Sequence, residues 1–426
     1  MQASPHRTQQ RDGADGTRVL TGLASLPGGR ELLVLCGGNE RSALVGGAVR
    51  DLTLGRAPRE IDVVTAGAAD ELASSLAQAL GDAGHRPRIT RHERFGTAAV
   101  EWDGGRIDIA RRRAESYAAP GALPDVREGT VLQDLQRRDF TVNAIAVTLG
   151  GEGAGEIAAA EHALEDLGAG RLRVLHERSF LDDPTRLLRM ARYSARLGFA
   201  PEPATASLAQ LAIEQGALRS VSSARIGAEL RLALGEPGAP AALAGMNDLG
   251  VLTAVGLVLD RERARAALDL LPADGRSDVL LLACLLPDAA DTAASQQVAE
   301  MLDAMEFPAG DRDTAARAAS GARELAQRMG DAARPSELMG VVRTRAPEEI
   351  ALAGASGGDA AHAAARRWLT SLRDVRLSIT GDDLLAAGIP GGPEIGRRLE
   401  LALQRRLDGE IAAGREAELA AALEGR

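Results

Sequence analysis

Lysine is absent from this chain, and all 50 of its Lys-plus-Arg positions are arginine. Every fixed positive side chain is therefore a guanidinium, which can grip a phosphate or a base edge with two parallel donors. A compositional bias toward Arg and Ala accounts for the same fact without function. Aromatic residues are nearly as scarce, at 2% of 426, which excludes a long stacking platform along single-stranded nucleic acid. Base stacking is left to isolated rings or Arg planes. The two cysteines, Cys36 and Cys284, lie far apart in apolar settings; they exclude a disulfide framework and Cys-based metal spacing, and they fit a reducing cytoplasm. No uncharged apolar run reaches the ~18 residues that a membrane span needs, and the polar first 17 residues lack the apolar core of an export signal. The chain is expected to be soluble and cytoplasmic, with no membrane partner. Its net charge of −10 argues against coating nucleic acid by bulk attraction and leaves room for local basic patches only.

At roughly 150 residues per domain, the length predicts about three units. Hydrophobic residues, 45% of the total, suffice for buried cores. Residues 1–17, rich in Gln, Arg, Asp and Gly, read as a disordered leader. Beyond them short apolar runs alternate with helical stretches. Residues 44–45, 61–64, 98–102 and 106–109 read as strands and 70–80 as a helix, the pattern of a mixed α/β domain. Glycines between Gly150 and Gly155 interrupt it, and beyond Ser179 the chain reads almost wholly as helices, at 184–197, 204–214, 223–234, 261–271, 277–286 and 296–305. No repeat of fixed period is visible.

In a strand, residues two apart share a face, so Glu60 and Asp62 point one way while Ile61 and Val63 enter the core. Two carboxylates on one face of a short strand are costly unless a cation neutralises them. Asp108, in the alternating run Arg106-Ile107-Asp108-Ile109, can supply a third from a neighbouring strand. Such oxygen ligands suit Mg²⁺, which takes few protein carboxylates and completes its shell with water and substrate phosphate. Upstream, Gly46-Gly47 follows a strand and precedes the helix start Ala48-Val49-Arg50-Asp51. Backbone amides there can hold phosphate oxygens, and Arg50 adds a charged fork. Each feature alone has a plainer reading: a tight turn for the glycines, a solvated strand face for the carboxylates.

Their joint order is more specific. Strand, Gly-Gly, helix, about a dozen residues and then acidic-apolar-acidic on a strand resembles the polymerase-beta-like nucleotidyltransferase superfamily. Within it, Val45-Gly46-Gly47-Ala48-Val49-Arg50-Asp51 followed by Asp134-Leu135-Gln136-Arg137-Arg138-Asp139-Phe140-Thr141-Val142-Asn143-Ala144 resembles the bacterial class II tRNA nucleotidyltransferases and poly(A) polymerases. The resemblance covers at least residues 43–235. It implies an α/β catalytic head over 18–175, a helical neck with the base-selecting helix over 176–235, and a helical, RNA-binding body and tail over 236–426. In the second motif Arg138 can reach a triphosphate, Asp139 can pin that side chain, and Asn143 can back up the Gly-Gly turn. One departure stands out. The family usually has Asp-x-Asp at the metal site, whereas this chain has Glu60-Ile61-Asp62, and the extra methylene moves an oxygen within a tight octahedral shell.

Downstream, Asp183, Arg186, Arg189 and Arg192 recur at three-residue spacing, so that Asp183, Arg186 and Arg189 line one wall of a helix. The segment resembles the family's acidic-Asp-x-x-Arg element, whose Asp and Arg act as a protein template for the incoming base. Cytosine and adenine both offer an exocyclic amine beside a ring-nitrogen acceptor, which a carboxylate and a guanidinium match. Guanine and uracil would leave the carboxylate desolvated and unpaired. The plainer reading makes Pro184 the first helical residue, Asp183 its N-cap and Arg186 to Arg192 an exposed basic face. The stretch 111–130, with Pro120, Gly121 and Pro124, resembles the family's mobile loop, or is a connector. Pro287 stands where some relatives carry the His of a His-Asp metal motif, so no phosphohydrolase activity is expected. Residues 380–396 read as helix, glycine turn, helix; they resemble the family's tail segment, and such a turn aims amides at phosphate.

The resemblance implies template-independent addition of C, A or both, from CTP and ATP, to the 3′ end of tRNA with release of pyrophosphate. It implies Mg²⁺ held by Glu60, Asp62 and Asp108, a triphosphate at Gly46, Gly47, Arg50 and Arg138, and base selection by Asp183 and Arg186, with Arg189 and Arg192 beside them. DNA is not an expected partner. Poly(A) polymerases share these motifs but tend to carry a long basic C-terminal extension, whereas residues 416–424 here are acidic. Addition of CC only or A only, and a non-catalytic RNA-binding module impaired at Glu60, are the other readings.

Overall fold

The computed structural model describes residues 13–38, 41–92, 96–116, 121, 125–287 and 292–424. Its backbone divides into two units, Met1–Val221 and Ser222–Arg426. The first runs through α1 (Gly13–Ala24), α2 (Gly29–Cys36), β1 (Ser42–Val45), α3 (Gly47–Thr53), β2 (Ile61–Thr65), α4 (Ala69–Asp82), β3 (Arg88–His92), β4 (Thr97–Trp102) and β5 (Gly105–Arg111). It continues through β6 (Arg113–Ser116), β7 (Asp125–Glu128), α5 (Val131–Gln136), β8 (Ile145–Thr148), β9 (Ile157–Ala159), α6 (Ala163–Ala169), α7 (Ser179–Asp182), α8 (Arg186–Leu197) and α9 (Pro203–Glu214).

Seven strands form one sheet in the order β3-β4-β5-β2-β1-β8-β9. Alternation sorts its two faces. Leu44, Ile61, Val63, Ile107 and Ile109 are buried on one, the face that α4 covers with Ala73, Leu76 and Leu80. On the other, Ala43, Val45 and Val64 pack with Leu135, Ala144 and Ala146. Because β2 and β5 pair in parallel with Asp62 opposite Asp108, both carboxylates rise from this second face.

Several expectations are corrected. The leader is helical from Gly13, anchored by the buried Val19 and Leu23; residues 1–12 lie outside those described. The loop expected over 111–130 contains the antiparallel hairpin β6–β7; residues 117–120 and 122–124 lie outside those described. The boundary after Val221 falls inside the expected neck. The second unit is helical, with Ser223–Leu234, Arg261–Leu270, Ser277–Leu285, Thr292–Ala304, Ala309–Asp331, Pro335–Val342 and Pro347–Ser356 among its helices. Ile379, Leu384, Ala402 and Ala422 form a small core near its end. Among the described residues, no helix is long and apolar enough to cross a membrane.

Candidate active site

The Gly46-Gly47 turn joins β1 to α3. Gly46 sits at φ 70°, ψ −132°, a backbone state that L side chains rarely adopt. There is a second reason for glycine: a Cβ here would come within 2.5 Å of Arg138 Nη1. Arg138 is carried by the turn after α5, whose start is fixed by a capping box between Thr130 and Gln133. Its Nη2 donates to Asp134 Oδ2 at 3.1 Å, while its Nε is buried with no partner among the described residues. Arg137 grips the same buried carboxylate through Nε and Nη2. Burial works to raise Asp134, but the two guanidiniums outweigh it and hold the carboxyl below its ordinary range. The expectation that Asp139 pins Arg138 is thus corrected. Asp134 does so, because four residues along a helix brings the two side chains to one face.

Asp139 instead anchors α8. It accepts from Arg189 Nε at 2.9 Å, from Asn143 Nδ2 at 2.9 Å and from the Phe140 amide at 2.8 Å. Burial opposes ionisation, yet the charge and hydrogen bond of Arg189, the Asn143 bond and the charge of Arg186 hold its carboxyl far below the usual range. Asn143 Oδ1 accepts from Arg50 Nη1, so it supports the Gly-Gly turn from beneath. Arg50, expected to grip a triphosphate, is 1% exposed and bound to Asp51 through Nε at 2.8 Å. It shapes the turn from inside the fold.

The base-selecting segment also departs from expectation. Pro184 holds Asp183 extended, at φ −136°, and α8 starts two residues later than expected, at Arg186. Asp183 Oδ1 accepts from the Thr185 amide at 3.1 Å and from Thr185 Oγ1 at 2.6 Å, the local turn that short polar side chains favour. Arg186 and Arg192 are buried rather than an exposed basic face. Arg186 donates to Ser179 Oγ at 2.5 Å and to the Arg137 carbonyl at 2.7 Å. Arg189 turns to Asp139. In this conformation Asp183 and Arg186 are each engaged within the chain rather than with one another. Tyr193, unremarked in the sequence, is the hub of this region: its ring lies 5.6, 5.4 and 4.9 Å from the guanidinium carbons of Arg50, Arg189 and Arg192. Its hydroxyl accepts from Arg189 Nη2 at 3.0 Å. The signal was present as Arg and Tyr four apart in α8.

On the second face of the sheet, the Asp62 carboxylate makes no hydrogen bond or ion pair among the described residues. Burial, with the charges of Glu60 and Asp108, pushes its carboxyl up to about 6 against the lowering pull of Arg138 and Arg106. Glu60 precedes β2 and is exposed. Asp108 is bound by Arg106, Nε to Oδ2 and Nη2 to Oδ1, each at 2.7 Å. That pairing uses both Asp108 oxygens, and among the described residues no three His, Cys, Asp or Glu side chains are arranged to hold a metal ion. The donor chemistry still fits a hard cation: an unpartnered, half-buried carboxylate with two more acids beside it carries the charge a cation would relieve.

Two register-paired acids on neighbouring central strands, near an arginine over a Gly-Gly turn, are the layout of a nucleotidyltransferase head. The Poly A polymerase head domain family matches residues 42–173. The chain is similar to the class II tRNA nucleotidyltransferases, and nucleotidyltransferases of that type generally use a divalent metal. The A-adding tRNA nucleotidyltransferase of Geobacter sulfurreducens is 33% identical over 376 residues, 83% of this chain and 41% of that one. The CC-adding tRNA nucleotidyltransferase of Deinococcus radiodurans is 38% identical over 178 residues, 42% of this chain and 45% of that one. The chain thus spans less than half the length of the curated relatives it matches first. The solved Thermotoga maritima CCA-adding enzyme in complex with tRNA shares the fold at a TM-score of 0.76 and 25% identity, covering 96% of this chain and 98% of that one.

Proposed function

We propose that this chain adds nucleotides from ATP and CTP to the 3′ end of tRNA in the cytoplasm. The observation that carries the reading is Asp62, unpartnered among the described residues and register-paired with Asp108, with Arg138 nearby, its Nη1 against Gly46 and its buried Nε without a partner among the described residues. Arg138 binds the triphosphate, and Asp134 and Arg137 hold it there. Asp62 and Asp108, with Glu60 beside them, hold Mg²⁺. When bound, the metal lowers the pKa of the tRNA 3′-hydroxyl and neutralises the departing pyrophosphate. The hydroxyl oxygen bonds to the α-phosphorus as the α–β P–O bond breaks, pyrophosphate leaves, and the hydroxyl proton passes to solvent. Asp183 and Arg186 choose the base after a rearrangement that frees Arg186 from Ser179 and from the Arg137 carbonyl.

A narrower reading is addition of the terminal A alone, favoured because the A-adding relative aligns along 83% of this chain and the CC-adding one along 42%. Purified protein is incubated with Mg²⁺, labelled CTP or ATP, and tRNA lacking the CCA end, carrying its first C, or carrying both. Extension of all three supports CCA addition; extension of the CC-ended tRNA alone supports the narrower reading. Absence of incorporation throughout refutes both and leaves an RNA-binding module. Asp62→Ala should abolish incorporation with the fold intact, and retained turnover would remove Asp62 from the metal site.

A further inference from the structure

In the second unit, Arg317, Arg343, Thr344, Arg345, Ala346 and Glu349 line an open cavity of about 570 Å³. Arg317 comes from the helix Ala309–Asp331, and the others from the link after Pro335–Val342 and the first turn of Pro347–Ser356. Glu349 is 4% exposed and holds two guanidiniums at its two oxygens. Arg345 Nη1 lies 3.2 Å from Oε2 and Arg317 Nε 3.5 Å from Oε1. Arg343 Nη1 reaches Glu400 at 2.8 and 2.9 Å, and Arg317 Nη2 reaches Thr314 at 3.3 Å. The other N–H groups of these guanidiniums have no protein acceptor among the described residues. The three side chains are 55%, 53% and 37% exposed. A buried acid therefore orients accessible donors from separate elements toward one space.

Three guanidiniums against Glu349 and Glu400 leave a surplus of one positive charge. Asp313, whose charge also reaches Arg317, is paired with Arg312. One surplus charge matches a phosphodiester, which carries a single negative charge, better than a terminal phosphate carrying about −1.5 to −2. The cavity volume lies within the range of about 300–1,000 Å³ that holds a small group. Its lining contains no ring and only Ala346 as an apolar side chain, so it suits phosphate and ribose rather than a base. We propose that this cavity clamps one backbone phosphodiester of the RNA substrate. The assignment rests on the tRNA reading above.

Arg343 pairs with Glu400, which is 38% exposed, so the full-length variant Arg343→Gln should keep the wild-type thermal transition. Arg317→Gln and Arg345→Gln each take one of two guanidiniums from the buried Glu349 and are compared at a temperature below their lowered transitions. Binding of labelled tRNA is measured without nucleotide over a series of salt concentrations. Each variant should bind about three- to ten-fold more weakly, and its slope of log affinity against log salt should be shallower by about one. Incorporation at saturating tRNA and the KM for ATP should be unchanged. Wild-type affinity and slope in all three variants would overturn the clamp. So would inorganic phosphate raising the melting temperature of wild type but not of the variants while tRNA binding stayed equal, which marks a free-anion site. If wild type incorporates no nucleotide but the slopes still differ, the catalytic reading fails and the clamp is supported.

Discussion

Replacing Asp139 by Asn tests whether the head is held together by its buried charges. Asp139 is 7% exposed and accepts from Arg189, Asn143 and the Phe140 amide. Removing one partner of a buried ion pair costs about 3–5 kcal/mol. Arg189 is 28% exposed and keeps its bond to Tyr193 at 3.0 Å, so the low end applies, about 3 kcal/mol. For a unit of this size that lowers the transition by about 6–12 °C, read by calorimetry or by urea unfolding at pH 7. The pH dependence carries a sign. The folded carboxyl lies below its unfolded value of about 3.9, so its stabilisation is complete above that value and is lost as pH falls toward the folded one. The amide of the variant does not titrate, and the gap between variant and wild type should therefore narrow from pH 5 to pH 3. A gap below about 1 kcal/mol at pH 7, or one that does not narrow, refutes the account.

Gly46→Ala forces a Cβ to within 2.5 Å of Arg138 Nη1 at φ 70°, so it should raise the KM for ATP several-fold while the tRNA Kd holds; an unchanged KM would take Arg138 away from the triphosphate. Tyr193→Phe loses only the bond from Arg189, about 1 kcal/mol. Tyr193→Leu also loses the ring shared by three guanidiniums, about 3 kcal/mol in all, and equal losses in the two variants in urea unfolding would refute the ring's role. The Arg106–Asp108 pair is 50% and 32% exposed and worth no more than about 1 kcal/mol. If it competes with the metal for Asp108, Arg106→Gln should lower the Mg²⁺ needed for half-maximal incorporation by up to about five-fold, and a higher requirement contradicts that competition.

The central strands were legible as short apolar runs, nearly continuous in β2 and alternating in β5. β2 and β5 sit where residues 61–64 and 106–109 were expected, and α4 extends the expected helix by one residue at its start and two at its end. β3 was not legible: Arg88–His92 is almost wholly exposed, and it is a strand only because β4 offers a partner edge. The hairpin β6–β7 failed for the same reason, since Asp125–Glu128 is exposed throughout. Within the site, the Asp134 hold on Arg138 is encoded in helical spacing, whereas adjacency along the sequence points to Asp139. Arg189 to Asp139, 50 residues apart, and Arg50 to Asn143, 93 apart, are contacts that no local pattern encodes. They turned expected ligand-gripping arginines into internal struts.

That conversion is what singles out Asp62. Asp51, Asp134, Asp139 and Asp166 are all buried, and each is satisfied by arginine. Where pairing wins over burial, as at Asp134 and Asp139, the carboxyl is held down. Asp62 lies on the same unit with less burial, yet its carboxyl rises to about 6 because burial and two neighbouring acids act on it and no donor reaches it. Among the described residues these four acids are paired and the half-buried Asp62 is not, which is the charge deficit the proposed metal would fill. The Nε of Arg138, buried without a partner among the described residues, is the matching deficit on the positive side. A divalent cation at the acid and a phosphate at the arginine complete each other, and a metal-complexed nucleoside triphosphate carries both.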